Sequence, residues 1–269
     1  MSLTISGKTA VVTGAANGVG LAIARHFVSR GANVMFADMD EARLKDEVGR
    51  TEGEDSNARY FAGDLRERLT VANLLSATID AFDRVDILVN ASRQVLLSDP
   101  LDPEDPSLDH LIQQNLMTNY RVSQQFARRM IKQAEKEGNE DEPVGSIMNL
   151  SSVAASRVQP EMLAYSVSSA AVEQLTRALA VALAPNRIRV NAIAFGSVMS
   201  ASLQDKIKDS PEIRDDIVEY TPLNRIAAPS ELAEVAQFLA SDGSGFMTGQ
   251  VLSVDGGRAL IDAVASPAH

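Results

Sequence analysis

Thr13-Gly14-Ala15-Ala16-Asn17-Gly18-Val19-Gly20 is the stretch of sequence that decides the fold. An apolar β-type run, Thr9–Thr13, leads into it, and the residues that follow carry apolar side chains at helical spacing. The glycines let the backbone turn tightly and approach a pyrophosphate, and the N-terminus of the following helix offers free N–H groups and a positive dipole end to that anion. The pattern predicts a dinucleotide-binding turn formed by Gly14, Asn17, Gly18, Val19 and Gly20.

Strand-like apolar runs alternate with amphipathic helical patterns along the rest of the chain. The predicted strands are Thr9–Thr13, Asn33–Ala37, Ala58–Phe61, Asp86–Asn90, Gly145–Leu150, Arg187–Ile193 and Val251–Val254. This alternation predicts an α/β fold, a doubly wound parallel Rossmann sheet of seven strands with helices on both faces, in the order 3-2-1-4-5-6-7. We expect one domain over residues 1–269, in which the long segment 197–229 forms a flap that covers the substrate.

Composition excludes several classes of protein. The 269 residues carry a formal net charge of −11, which disfavours a nucleic-acid partner, and no apolar run is long enough to span a membrane. The chain has no cysteine and only three scattered histidines, which disfavours thiol catalysis, a metal site and a Ser–His–Asp triad. The N-terminus lacks the pattern of a signal peptide, so we expect a cytoplasmic protein.

Asp38 closes the second predicted strand. A carboxylate at this place can accept hydrogen bonds from both ribose hydroxyls of an adenosine. The alternative is a helix cap in Ala37-Asp38-Met39-Asp40-Glu41, and the nearby glycine turn favours the ribose role. Because a carboxylate would repel a 2′-phosphate and no Arg or Lys stands beside it, we expect the cofactor to be NAD rather than NADP.

The glycine spacing, TGxxxGxG, resembles that of the classical short-chain dehydrogenase/reductase family, and the resemblance extends over essentially the whole chain. It is carried further by Asp64-Leu65, Asn90, Asn115, Asn149-Leu150-Ser151-Ser152, Tyr165, Arg189-Val190-Asn191, Pro222-Leu223-Asn224-Arg225-Ile226, Thr248-Gly249 and Val254-Asp255-Gly256-Gly257. The resemblance implies an NAD-dependent oxidoreductase that interconverts a secondary alcohol and a ketone. It also implies a homotetramer.

The resemblance assigns roles to single residues. Tyr165 would exchange the proton, Ser152 would hold the substrate oxygen, and Asn115 would anchor a water beside them. Further cofactor contacts would come from Asp64, Leu65, Asn90, Ala91, Gly196, Val198 and Ser200.

Three positions depart from the family pattern. The family has a lysine four residues after the tyrosine, which binds the nicotinamide ribose, and this chain has Ser169. We place Ser169 at the catalytic site, because a serine can still hydrogen-bond a ribose hydroxyl, although it carries no charge. A cation ~4 Å from a phenolate would stabilise it by up to ~4 kcal/mol at an effective dielectric constant of ~20, so its loss weakens the base. Arg93 stands where the family has glycine, and Phe195 where it has proline. Arg93 could enter the cleft and supply a charge there, or bind an anionic substrate; we expect it to point to solvent.

These departures leave a second class of function open. A non-catalytic NAD-binding sensor or scaffold would keep the nucleotide site and lose the chemistry. A methyltransferase is disfavoured, because Ser152, Tyr165 and Asn115 would have no purpose in one.

Overall fold

The computed structural model describes residues 2–49, 56–138 and 141–262. Seven parallel strands form one sheet in the order β3-β2-β1-β4-β5-β6-β7, which confirms the predicted doubly wound α/β fold. The strands β1 to β7 are Thr9–Thr13, Asn33–Asp38, Ala58–Ala62, Ile87–Asn90, Gly145–Ser152, Ile188–Phe195 and Val251–Val254.

Helices connect the strands and cover both faces of the sheet. They are α1 Gly18–Ser29, α2 Glu41–Gly49, α3 Arg68–Phe82, α4 Ser107–Leu111, α5 Thr118–Glu137, α6 Leu163–Leu183, α7 Ala201–Asp209, α8 Glu212–Glu219 and α9 Pro229–Ala240. A π-helical turn, Ile112–Met117, joins α4 to α5. The core on one face contains side chains of α1, α2 and α9, and the core on the other contains side chains of α3, α5 and α6.

The two cores share the sheet because successive side chains of a strand point to opposite faces. Val12 belongs to the core that holds Phe27 of α1, whereas its neighbour Val11 belongs to the core that holds Phe126 of α5. All four side chains are fully buried. Burial on both faces explains why several strands, such as β1 and β4, contain continuous apolar runs in the sequence.

The sheet order places a crevice at the carboxyl ends of the strands. From β1 the chain adds strands β2 and β3 on one side and β4 to β7 on the other, so the strand order reverses between β1 and β4. Ligands of open α/β sheets bind at such a reversal. Segment 197–229 follows β6 at this edge, contains α7 and α8, and is closed at its base by a bridge between Val198 and Ala227.

A buried polar network ties the centre of the sheet to two helices. The Nδ2 atom of Asn90 in β4 donates to Asn149 Oδ1 in β5 at 2.8 Å and to Ser123 Oγ in α5 at 2.9 Å. Asn149 Nδ2 donates in turn to Thr176 Oγ1 in α6 at 2.8 Å. Because all four residues are buried, each donor depends on these partners.

Replacing Asn149 by alanine should therefore lower the free energy of unfolding by about 1–3 kcal/mol, since a buried N–H of Asn90 loses its acceptor. Chemical denaturation measures the loss. The matched control is Asn73→Ala on the exposed side of α3, which should change stability by no more than about 0.5 kcal/mol. Equal losses in the two variants would contradict a stabilising role for the network.

Candidate functional site

A cleft of about 800 Å³ opens at the carboxyl ends of the strands. Its walls come from the β1–α1 turn, the ends of β2, β4, β5 and β6, and the helices α6, α7 and α8. It brings together twelve of the predicted site residues: Gly14, Asn17, Gly18, Val19, Gly20, Asp38, Ala91, Ser152, Tyr165, Gly196, Val198 and Ser200.

The glycine turn fits a phosphate group by shape and by polarity. Gly14 and Gly18 have φ angles of +66° and +57°, a region that favours glycine. A Cβ on Gly20 would lie 2.2 Å from the carbonyl oxygen of Gly14, so only glycine allows this close approach. The Asn17 side chain makes no capping hydrogen bond at the start of α1, and the first turn holds no acidic residue. The first N–H groups of α1 are therefore available to an anion.

Asp38 is fixed beside this turn by backbone donors. Its Oδ2 accepts from Ala16 N at 3.1 Å, and its Oδ1 accepts from Met39 N at 2.7 Å and Asp40 N at 3.1 Å. The carboxylate thus bonds the chain just before α2 and also lines the cleft. Its cleft-lining neighbours Asn17 and Met39 carry no positive charge.

Ser152 and Tyr165 line the cleft from different elements. Ser152 is the last residue of β5, and its Oγ accepts from Ala154 N at 3.2 Å in the turn that follows. Tyr165 lies in the first turn of α6 and is buried. The cleft therefore holds both hydroxyl-bearing side chains together with the glycine turn.

Arg93 was expected to point to solvent, and that expectation is wrong. Its Nη1 donates to the Tyr165 hydroxyl oxygen and, at 3.3 Å, to the carbonyl oxygen of Ser151. The guanidinium carbon lies 4.1 Å from the centre of the Phe195 ring. These acceptors and this ring give the half-buried side chain more partners inside the cleft than a solvent-facing position would.

Three of the predicted cofactor contacts lie outside the cleft lining. Asp64 forms an ion pair with Arg66 at 2.6 Å, and this partner lowers the pKa of the Asp64 carboxyl. Leu65 is buried in the core beneath α3 and α5. The Asn90 amide is directed into the polar network at the centre of the sheet.

Two of the predicted catalytic residues, Asn115 and Ser169, make hydrogen bonds that support the walls of the cleft and do not line it. Asn115, in the π-helical turn, clamps the backbone of Gln94: its Oδ1 accepts from Gln94 N at 2.9 Å, and its Nδ2 donates to Gln94 O at 3.0 Å. Ser169 is buried one helical turn after Tyr165, and its carbonyl accepts from Ser151 Oγ at 3.3 Å. Neither side chain lines the cleft.

Sequence reasoning missed several cleft-lining residues. Arg258 reaches the cleft from beyond β7 and donates to Ser197 Oγ at 2.9 Å, while Lys206 comes from α7. No local pattern marks either residue, because each arrives through the packing of distant segments. Gln114 and Gln159 also line the cleft, and Phe195, noted only as a departure, forms part of its floor.

Two other properties concern the described ranges as a whole. Within residues 2–49, 56–138 and 141–262, no group of three histidine, aspartate or glutamate side chains is placed to hold a metal ion. No helix within these ranges combines the length and apolar character needed to cross a bilayer.

Comparison with known proteins extends these observations. Residues 14–259 match a family model described as enoyl-(acyl carrier protein) reductase. The chain is 35% identical to a galactitol 2-dehydrogenase (L-tagatose-forming) from Cereibacter sphaeroides, over 94% of this chain and 95% of the relative.

Two solved structures show the same architecture. A 7α-hydroxysteroid dehydrogenase complexed with NADH and 7-oxo glycochenodeoxycholic acid is similar with a TM-score of 0.86 and 29% identity, over 95% of each chain. A gluconate 5-dehydrogenase from Burkholderia cenocepacia, in complex with NADP and tartrate, is similar with a TM-score of 0.85 and 29% identity, over 97% of this chain and 98% of that one.

The sheet, the glycine turn and these similarities define an oxidoreductase of the Rossmann fold whose class uses nicotinamide cofactors. The chain belongs to the short-chain dehydrogenase/reductase family.

Substituting Gly20 by alanine should distort the turn, because the new Cβ meets the Gly14 carbonyl. We expect the dissociation constant for the nicotinamide cofactor, titrated as NAD and as NADP, to rise by about tenfold or more, a loss of ~1.4 kcal/mol, measured by calorimetry. The matched control is Gly49→Ala at the end of α2, where a Cβ meets no atom within 4 Å. That variant should bind the cofactor like the unmodified chain, and an equal loss there would contradict a local effect at the turn.

Proposed function

We propose that this protein is an NAD(H)-dependent oxidoreductase that interconverts a secondary alcohol and a ketone. The observation that carries the proposal is the presence, in one cleft, of the glycine turn, the Asp38 carboxylate and the hydroxyls of Ser152 and Tyr165. A nucleotide bound on the turn would extend along the carboxyl edge of the sheet toward the two hydroxyls.

The residues at the turn fit the nucleotide half of NAD. The N–H groups at the start of α1 would hold the pyrophosphate, and the Asp38 carboxylate would accept from the ribose hydroxyls. A 2′-phosphate would place a second negative group against Asp38, which favours NAD over NADP. Across the cleft, Gly196 and Val198 would contact the nicotinamide half, and the Ser200 hydroxyl, which caps α7, would contact the pyrophosphate.

The chemistry needs a proton partner and a group that holds the substrate oxygen. NAD supplies the hydride acceptor in oxidation, and NADH the hydride donor in reduction. In oxidation the Tyr165 phenolate takes the proton of the alcohol hydroxyl; in reduction the Tyr165 hydroxyl gives that proton to the ketone oxygen. Ser152 donates a hydrogen bond to the same oxygen and orients the reacting carbon.

Segment 197–229 would cover the bound substrate. Its helices α7 and α8 contribute Leu203, Ile213 and Ile217 to the cleft, opposite Met162 before α6. These side chains suit a substrate that is apolar in part. A homotetrameric assembly, a single domain and a cytoplasmic location stay predictions from the sequence.

One feature supports the alternative of a non-catalytic NAD-binding protein. Ser169, which is buried near Tyr165, carries no charge and so cannot stabilise a phenolate as the family lysine would. Turnover separates the two functions. A panel of secondary alcohols with NAD, and of ketones with NADH, is followed by nicotinamide fluorescence. Oxidation or reduction of at least one compound supports the enzyme, whereas NAD binding without any turnover supports the alternative.

Changing Asp38 to asparagine should narrow the preference for NAD over NADP, because the repulsion between the carboxylate and the 2′-phosphate disappears. Calorimetry of both nucleotides measures the ratio of dissociation constants. Asp40→Asn is the matched control; Asp40 lies two residues later, outside the cleft lining, and should leave the ratio unchanged. Equal or tighter binding of NADP by the unmodified chain would overturn the cofactor assignment.

Tyr165→Phe should abolish turnover while leaving NAD affinity nearly intact, because the phenolic proton is needed in the transition state and not for recognition of the cofactor. The control is Tyr120→Phe in α5, outside the cleft lining. If the Tyr165 variant keeps more than about a tenth of kcat, a loss below ~1.4 kcal/mol, Tyr165 does not exchange the proton.

A further inference from the structure

Two of the three departures from the family pattern meet at Tyr165 in the cleft, and the third lies one helical turn from it. Arg93 donates through Nη1 to the hydroxyl oxygen of Tyr165, and its guanidinium stacks on the ring of Phe195. Ser169, which carries no charge, lies one helical turn beyond Tyr165. Although Phe195 lies 102 positions after Arg93 in the sequence, the fold brings them into direct contact.

The charge on Arg93 has no carboxylate partner among the residues that the structure describes. Its two hydrogen-bond acceptors are neutral: the Tyr165 hydroxyl and the Ser151 carbonyl. The carboxylate of Asp38, which lines the same cleft, is bonded to backbone N–H groups instead. The field of the guanidinium at the phenol oxygen is therefore not cancelled by an ion pair.

Phe195 and Ser151 fix the position of this charge. An aromatic face within ~6 Å attracts a guanidinium, and the Phe195 ring centre lies at 4.1 Å. The Ser151 carbonyl, at 3.3 Å, accepts from Arg93 Nη1, the same nitrogen that donates to Tyr165. This second hydrogen bond orients the guanidinium toward the Tyr165 hydroxyl. The long side chain of Arg93 is thereby held at the hydroxyl, which reduces the conformational freedom that an arginine usually keeps.

We propose that Arg93, held by Phe195 and the Ser151 carbonyl, is the cation that stabilises the phenolate form of Tyr165. An opposite charge in hydrogen-bond contact favours the ionised form of an acid. Arg93 keeps its own protons throughout, and the only proton that moves is the one exchanged between Tyr165 and the substrate oxygen. The role of this contact in catalysis rests on the proposed function. The effect of the Arg93 charge on the ionisation of Tyr165 does not, because the contact is present without substrate.

The test follows the ionisation of Tyr165 directly, by the ultraviolet absorbance of tyrosinate during a pH titration. The chain has four tyrosines, so each protein is compared with the same protein carrying Tyr165→Phe, and the difference is the titration of Tyr165 alone. Thermal unfolding of every variant over the same pH range verifies that it is folded.

Arg93→Gln removes the charge and should move the Tyr165 titration to higher pH by about 1 to 3 pH units. Arg93→Lys keeps a charge at the site and should move it less. Phe195→Leu removes the ring that holds the guanidinium and should give an intermediate shift. In the Arg93→Gln background, Ser169→Lys should return the titration toward that of the unmodified chain. The matched control is Arg128→Gln on the exposed side of α5, which should leave the titration in place.

An unchanged titration in Arg93→Gln would overturn the proposal, and would favour an Arg93 that instead binds an anionic substrate. A shift of equal size in Arg93→Lys would also overturn it, because the packing of arginine and not its charge would then be responsible. The result is independent of turnover. A shifted titration in a protein that neither oxidises an alcohol nor reduces a ketone would reject the proposed function and leave this inference standing.

Where turnover is found, the rate of alcohol oxidation should follow the same pH displacement. Ketone reduction should depend less on Arg93, because that direction needs the protonated hydroxyl. Equal losses in both directions, without a change in the pH profile, would indicate that Arg93 only supports the shape of the cleft and would contradict the proposal.

Discussion

The contact between the turn after β1 and the turn after β4 is the constraint on which the cleft depends. A Cβ on Gly14 would lie 2.7 Å from the carbonyl oxygen of Ala91, so the two backbones meet with no room for a side chain. The Thr13 hydroxyl accepts from the N–H groups of both Ala91 and Ser92 at 3.1 Å. The glycine turn and the turn that carries Arg93 are thus held together. The backbone of Arg93 is therefore fixed relative to the cleft that its side chain enters.

Charge is distributed unevenly between this cleft and the rest of the molecule. The whole chain carries a formal net charge of −11. Among the described residues that line the cleft, Arg93, Lys206 and Arg258 are positive, and Asp38 and Asp216 are negative. The cleft lining is therefore slightly positive although the molecule is strongly negative. This local positive potential attracts an anionic nucleotide to the cleft, where the glycine turn can bind its phosphates.

Much of the fold could be predicted from the sequence, because burial on both faces makes several strands continuous apolar runs, such as Ile87-Leu88-Val89 in β4. The predicted ends of β1 and β7 match the observed ones, and β5 runs two residues further than expected, to Ser152. The side chains at the strand ends were harder to place. Asn90 ends β4 at the ligand edge of the sheet, yet its amide faces the interior, because Asn149 and Ser123 offer it partners there. Arg93 was misplaced for a similar reason: Ser151, Tyr165 and Phe195 are far from it in sequence, and no local pattern signals their approach.

The π-helical turn at Ile112–Met117 has a consequence for how the chain tolerates changes of length. Such a turn holds one residue more than a regular helical turn, and one residue corresponds to about 100° of rotation in an α-helix. Deleting a single residue there would regularise the helix and rotate α4 against α5, carrying the Asn115 clamp away from Gln94 while Val122 and Phe126 kept their places on the sheet. The turn therefore separates two structural duties along one helix: Asn115 within it holds the Gln94 backbone beside the cleft, whereas Val122 and Phe126 after it pack in the core against the sheet.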